Sequence, residues 1–394
     1  MASYPFFFFF FFFFFFLLQS PRSLSCYSAI FSFGDSLTDT GNIVYFSGGA
    51  DPANRVPYGE TYFRRPVGRY SDGRIVLDFL GMLLLHLIVD PSPFPSLKSN
   101  VRLGSAQTLG LPLVPPYDAG HNREAPDFAS GANFAVAGAS ALSPRYYEAK
   151  GLNVSGEDYS LVTQLKWFRQ MLQFSHIGDT FDDALFFVGE IGVNDYKNLL
   201  SMDGKSVDYA RCFAPSIVQG IGSAIDELLQ TGARAVMVAG MFPLGCIPLF
   251  LTMFLTQQSD AYEPETGCLK SLNLLSQYHN LLLQHELGQI QKAHPRSKII
   301  YADLYDNLMS VYKSPEQFGI KSTVVACCGG EGPYNFSFSV MCGDPTSKWC
   351  SRPLNYMCWD GMHFTEAASR VIARNIIEGS SAHFSNSTKM LADT

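Results

Sequence analysis

Ala29-Ile-Phe-Ser-Phe-Gly-Asp-Ser-Leu-Thr-Asp-Thr-Gly-Asn42 decides the fold. Ala29–Phe33 is short, β-prone and almost wholly apolar, with Ser32 as its one polar interruption. Such a run predicts a strand buried on both faces. Gly34 permits a tight turn directly after it, and Asp35 and Ser36 follow at once. In an open parallel sheet, ligands gather beyond the carboxyl ends of the strands. A serine there stands on a rigid support, as a nucleophile must, and a helix starting just after it lends amide groups to a developing anion. Alone, the Gly-Asp-Ser sequence is weak, because a capped turn uses the same residues.

Outward from this stretch, β-prone runs alternate with helical ones. Ala184–Val188, Ala235–Val238 and Lys298–Ala302 read as strands, and Asn133–Ala137 as a weaker one. Leu161–Phe174 carries apolar residues at helical spacing. Pro215–Leu229 opens on a favoured first-turn proline and stops before Thr231-Gly232. Leu272–Ala293 is long and amphipathic, and Thr365 is a candidate N-cap for a last helix through Ile377. Strand–helix alternation predicts an α/β fold, a parallel sheet covered by helices on both faces. No internal repeat is visible.

The 394 residues are 47% hydrophobic and only 16% charged, which excludes a disordered chain or a coiled coil. Net charge is −7, with 28 basic against 35 acidic residues, and no basic run occurs, so nucleic acid is excluded as a partner.

The N-terminus reads as an address. Phe6–Leu18 is unbroken apolar sequence, within the ~7–15 residues of a signal-peptide core. It falls short of the ~20 needed to span a bilayer, so no stable membrane anchor is expected. The preceding Met1–Pro5 lacks the usual Lys or Arg. The expected division is a signal peptide over 1–25, one domain over 26–380 and a tail over 381–394.

Of nine cysteines, eight remain if cleavage, expected between about Ser20 and Ser28, removes Cys26. The remaining even number, five of them between Cys327 and Cys358, suits disulfides in an oxidising compartment. Adjacent Cys327 and Cys328 make poor zinc spacing, so no metal is expected. Asn153, Asn335 and Asn386 open glycosylation sequons, consistent with secretion.

Chemistry enters through three further stretches. Trp359-Asp-Gly-Met-His-Phe-Thr365 places Asp360 three residues before His363, ahead of a helix. In a turn, that spacing brings the carboxylate onto one imidazole nitrogen and leaves the other to take a proton from a serine. A serine hydroxyl needs such a base to become nucleophilic. Gly131–Ala139 offers Gly138, whose amide has no side chain in front of it. Phe187–Tyr196 offers Asn194, whose side-chain amide is a donor worth ~3–4 kcal/mol in acyl transfer. Each has an ordinary alternative: Asp360 and His363 as turn and surface residues, Gly138 as a packing contact, Asn194 as an Asx-turn.

Together, in this order, the four stretches match the blocks of the GDSL, or SGNH, hydrolases, and Ser36, Gly138, Asn194 and His363 fall on the four letters. The chain resembles the plant GDSL esterase/lipase family from about Ala29 to Ile377, with PYGETYF, GRYSDGRIVLDF, LGLPLVPPY, FPLGC and ACCGGEGPYNF as supporting stretches. The resemblance implies a three-layer α/β/α, flavodoxin-like fold with a central, mostly parallel sheet. It implies ester hydrolysis through an acyl-enzyme without a cofactor, on a small-molecule or lipid ester. Ser36 would be the nucleophile and His363 the general base and acid. Asp360 would orient His363, and the amides of Ser36 and Gly138 with the Asn194 side chain would form the oxyanion hole. In finer detail the chain resembles members that deacylate small plant metabolites, such as acetylajmalan and sinapine esterases.

One stretch departs from the family. Met82–Thr108 interrupts a helix-to-loop passage, greasy at first and then rich in Pro and Ser. Its clean edges are those of translated intron, and a mature transcript containing the segment would exclude that origin. Its apolar half reads as a helix packed on the sheet and its tail as a loop; if real, the insert would disturb the sheet-flanking helix or act as a substrate lid.

A lipase for longer acyl chains is the alternative within this chemistry. A catalytically silent binding protein and a flavodoxin-like nucleotide binder are the alternatives outside it. The intact residue set argues against the former, and the lack of a glycine-rich phosphate loop against the latter. His279 and His285, six apart on one helix, read as surface residues rather than metal ligands. A histidine base predicts activity that falls below an ordinary imidazole pKa of ~6.5.

Overall fold

Ala29–Phe33 forms β1, buried throughout, and it is an inner strand of a parallel sheet. The computed structural model describes residues 27–86, 113–117, 128, 130–154, 156–174, 181–202, 204 and 206–390, less the side chains of 83, 85, 86 and 380–390. The other sheet strands are β2 (Gly131–Asn133), β3 (Ala184–Val188), β4 (Ala235–Ala239) and β5 (Lys298–Ala302), in the order β2-β1-β3-β4-β5. All four pairings are parallel. This is the flavodoxin-like order, in which the chain leaves β1 first to one side and later to the other. The crevice opened by that reversal lies between the ends of β1 and β3.

The helices are α1 (Asn42–Phe46), α2 (Val76–His86), α3 (Pro144–Glu148), α4 (Leu161–Phe174), α5 (Val193–Leu200), α6 (Val207–Arg211), α7 (Ala214–Thr231), α8 (Pro248–Met253), α9 (Lys270–Ala293), α10 (Leu304–Lys313) and α11 (Glu366–Met390). Helices α4, α7 and α9 pack side by side as one layer, and α2, α10 and α11 as the other, with β5 gripped between α9 and α11. The phenylalanines of β1 bind it to the first layer. Phe31 meets Phe168, Phe181 and Phe186, and Phe33 stacks on Phe134 at 5.2 Å. Each such buried ring contributes apolar burial plus about 0.5–1.5 kcal/mol per pair. Ser32, the polar interruption, is fully buried, and its hydroxyl has no hydrogen-bond partner among the described residues.

Two expectations need correcting. The weak strand at Asn133–Ala137 lies earlier, at Gly131–Asn133, because Asn133 Oδ1 accepts the Ala135 amide and ends the ladder. The last helix runs on past Ile377 to Met390. The disulfides expected from the cysteines are present, although they do not take up every cysteine among the described residues. Bridges join Cys246–Cys268, Cys327–Cys350 and Cys328–Cys342, while exposed Cys212 and buried Cys358 remain thiols. Burial pushes the Cys358 thiol up to about 12, so it stays protonated and inert.

The segment beginning at Met82 opens as the end of α2, where Met82 and Leu84 are buried. Residues 87–108, and with them the question of its origin, lie outside the described residues. Beyond the main sheet, β6 (Ser322–Ala326), β7 (Cys328–Gly329), β8 (Lys348–Trp349) and β9 (Tyr356–Cys358) form two small pairs, β6 with β9 and β7 with β8. Cys327 and Cys328 donate their amides to the carbonyls of Cys358 and Trp359, at 3.0 and 2.6 Å. The bridged segment thus braces the chain just before Asp360.

Candidate active site

Beyond β1 the chain makes one turn around Asp35, whose carbonyl accepts the amides of Thr38 and Asp39 at 3.1 and 2.9 Å. The regular helix starts only at Asn42, so Ser36 sits on this turn and not at a helix N-terminus, as its sequence suggested. The rest of the block is structural. Asp39 accepts the amides of Gly41, Asn42 and Ile43, which caps α1, and also that of Ala137 at 2.9 Å. Asn42 Nδ2 donates to the carbonyls of Asn133 and Ala135. Asn133 Nδ2 donates back to Thr38 O at 2.7 Å and to Thr40 Oγ1. These reciprocal bonds lock the Ser36 turn to the loop bearing Gly138. Burial, opposed by four amide bonds, still raises the Asp39 carboxyl to about 6.

Asp360 and His363 lie in a turn between β9 and α11. The Trp359 amide closes it on His363 O at 2.7 Å, and Thr365 caps the helix through the Ala368 amide at 3.2 Å. His363 Nδ1 is 2.8 and 2.7 Å from the two Asp360 oxygens, and its Nε2 is 2.8 Å from Ser36 Oγ. Asp360 also accepts the amides of Met362 and His363. Burial pushes its carboxyl up, but the neighbouring His363 and these hydrogen bonds outweigh burial and hold it below the usual range. It therefore remains an anion facing the imidazole.

Sequence reasoning gave no role to two tyrosines here. Tyr58 donates its hydroxyl to Asp360 Oδ2 at 2.8 Å. Tyr70 lies over the His363 ring at a centroid distance of 4.5 Å, and its hydroxyl is anchored on Asp51. Both stand in stretches that marked the family resemblance, but no spacing rule connects position 58 with position 360.

Gly138 has φ +83°, a conformation that disfavours side chains, and a Cβ placed on it meets nothing within 4 Å. Among the described residues, no hydrogen bond occupies its amide or that of Ser36. Asn194, in the first turn of α5, is engaged: Nδ2 donates to Ala139 O at 2.9 Å and to Asp35 Oδ2 at 3.2 Å. An oxyanion can draw on it by displacing the longer of these. Asp195 fixes α5 from the other side, accepting Ala141 N, Leu142 N and the Tyr147 hydroxyl. Asn194-Asp195 therefore makes long-range bonds and no Asx-turn.

Burial also dominates the neighbouring charges. It raises Asp35 to about 7 and Glu190 well above its ordinary value, and lowers Lys197.

His279 is a second correction. It is 1% exposed, packed beside Tyr196 with its Nδ1 2.9 Å from that hydroxyl, and burial lowers it to about 4. The helix face that carries it is covered by Tyr196 of α5, which sequence periodicity alone did not reveal. Asn153 is exposed, Asn335 turns its Nδ2 inward onto Ala326 O, and the Asn386 side chain lies outside the described residues. Among the described residues no three His, Cys, Asp or Glu side chains cluster to hold a metal ion. None of the described helices is long and apolar enough to cross a membrane.

The family model described as GDSL-like Lipase/Acylhydrolase matches residues 30–376. Two Arabidopsis thaliana proteins named GDSL esterase/lipase are 39% and 40% identical, over 362 and 361 residues. Each alignment covers 90% of this chain, with 84% and 82% of the relative. A solved structure of a putative GDSL-like lipase from Parabacteroides merdae aligns over 92% of this chain and 99% of its own. Its 12% identity and TM-score of 0.38 are too low to carry an argument.

Proposed function

Since the chain belongs to the GDSL-like lipase/acylhydrolase family and is a carboxylic ester hydrolase, we propose that it is a secreted serine esterase acting through an acyl-enzyme on Ser36. The observation that carries this reading is the 2.8 Å contact of His363 Nε2 with Ser36 Oγ, made while Nδ1 faces Asp360. His363 takes the Ser36 proton as Oγ attacks the ester carbonyl. The resulting oxyanion is held by the amides of Ser36 and Gly138 and by Asn194 Nδ2. His363 returns the proton to the leaving alcohol, and water then repeats the sequence to free the acid and Ser36.

The substrates are small acylated plant metabolites. Ser36 is 5% and His363 7% exposed, a narrow approach that suits a compact ester better than a lipid surface. The N-terminal apolar run supports secretion, and among the sequon asparagines whose side chains are described Asn153 is the exposed one, open to a glycan.

The test is p-nitrophenyl acetate hydrolysis with a pre-steady-state burst, followed by labelling with an alkyl p-nitrophenyl phosphonate. One adduct per chain, on Ser36, is expected. An adduct elsewhere, or none, sinks the acyl-enzyme. Across acetyl, choline and long-chain esters, rates that jump at an oil–water interface would replace the small-ester reading with a lipase. For the oxyanion hole, Asn194→Ala is expected to lower kcat by ~10²–10³-fold and leave KM nearly unchanged. A loss confined to KM would remove Asn194 from that role.

A further inference from the structure

The Asp360 carboxylate has more donors than the serine chemistry requires. Oδ1 accepts the amides of Met362 and His363, and both oxygens lie within hydrogen-bond distance of His363 Nδ1. Oδ2 has one partner more, the Tyr58 hydroxyl, from 302 positions earlier in the chain.

The structure holds Tyr58 firmly in this place. Its side chain is 3% exposed and meets Tyr70 and Trp359 edge-on at 5.6 and 6.1 Å. The next residue, Gly59, has φ +75° and donates its amide to Ser71 O at 3.0 Å. A Cβ on Gly59 would sit 2.2 Å from Arg65 O, so only glycine lets the backbone pass and aim Tyr58 inward. A buried hydroxyl could have been satisfied by any carbonyl; this one reaches the anion behind the histidine.

We propose that Tyr58 is a positioning residue of the ester hydrolysis, holding Asp360 against His363 and setting the pH at which the histidine becomes a competent base. The proposal rests on the Ser36–His363–Asp360 reading above. Four donors share one carboxylate, and two of them, His363 Nδ1 and the Tyr58 hydroxyl, are side-chain groups that meet at Oδ2. Each draws on the same negative charge, so the Tyr58 hydrogen bond limits how strongly Asp360 stabilises the protonated imidazole. Remove that donor and the imidazolium keeps its proton to higher pH. Burial, reinforced by the Asp360 charge, holds the Tyr58 phenol far above its ordinary range, so it stays a donor.

The other titratable groups facing this cluster are Asp35 beyond β1, Asp51 and Tyr70 from the segment after α1, and Cys358 at the end of β9. They are common to wild type and variant, so a difference between the two profiles isolates the Tyr58 bond.

The experiment is the pH dependence of kcat/KM for p-nitrophenyl acetate on the full protein. Tyr58→Phe keeps the ring and loses the hydroxyl; its acid limb is expected to move up by roughly half a unit to one unit. Tyr70→Phe removes the hydroxyl that binds Asp51, and its limb is expected to stay, whatever happens to the plateau. Should Tyr58→Phe fail to fold, 3-fluorotyrosine placed at position 58 decides. The more acidic phenol donates more strongly and should move the limb down. A limb unmoved by either change at position 58, or moved equally by Tyr70→Phe, overturns the proposal. Activity surviving Ser36→Ala would instead overturn the serine reading on which it depends, so the two failures are distinguishable.

Discussion

Replacing Ser36 by alanine is expected to lower kcat for a p-nitrophenyl ester by ~10⁴-fold or more, and His363→Ala to cost nearly as much. The reason is the contact between them. His363 Nε2 has one hydroxyl to deprotonate, at 2.8 Å, and Ser36 has one base. A nucleophile without its base and a base without its nucleophile are equally idle, so the losses do not add. The double variant should be barely slower than either single one. On the proposed mechanism, what remains comes from Gly138, Asn194 and substrate binding, which none of these changes touches. Measuring kcat for all three proteins checks the claim. Losses that multiply in the double variant would mean that the two side chains act separately.

The second large effect concerns stability. Arg69 and Asp78 form a bidentate pair, with both nitrogen–oxygen distances 2.8 Å and side-chain exposures of 7% and 0%. Arg69 also donates to Thr40 O, and its guanidinium lies over the Phe63 ring. Asp78 accepts the Ile75 amide, capping the start of α2. Asp78→Ala therefore strands a buried cation and uncaps a helix in one step. The expected cost is about 3–5 kcal/mol, read from the urea midpoint followed by circular dichroism. Adding Arg69→Met should recover most of it, because the pair's own formation must repay its desolvation. A single variant within about 1 kcal/mol of wild type would mean that water reaches Arg69 and the pair is not truly buried.

Sequence made some of this legible and not the rest. Ala29–Phe33 and Ala184–Val188 were readable as strands to the residue because a strand buried on both faces is a short apolar run, and Lys298–Ala302, the half-buried edge strand, was readable from its β-prone residues. The meeting of Ser36 with His363 was suggested by motif order, since neither position alone departs from an ordinary turn. The Asp39, Asn42 and Asn133 lacing was not visible. Polar residues after a strand look like loop, and nothing in their spacing tells which distant carbonyl they will reach. His279 was misread for a related reason. A histidine on an amphipathic helix is assigned to the wet face by type, whereas the contact with Tyr196 of α5 decides the matter. Cys212 and Cys358 escaped pairing because an even number says nothing about which sulfurs approach.

The 327 positions between the serine and its base carry a consequence for biosynthesis. A ribosome must add 327 residues after Ser36 before the imidazole of His363 exists to meet that hydroxyl. On the proposed mechanism, a chain that stops before Asp360 and His363 lacks the base that Ser36 needs, and it should be silent toward esters.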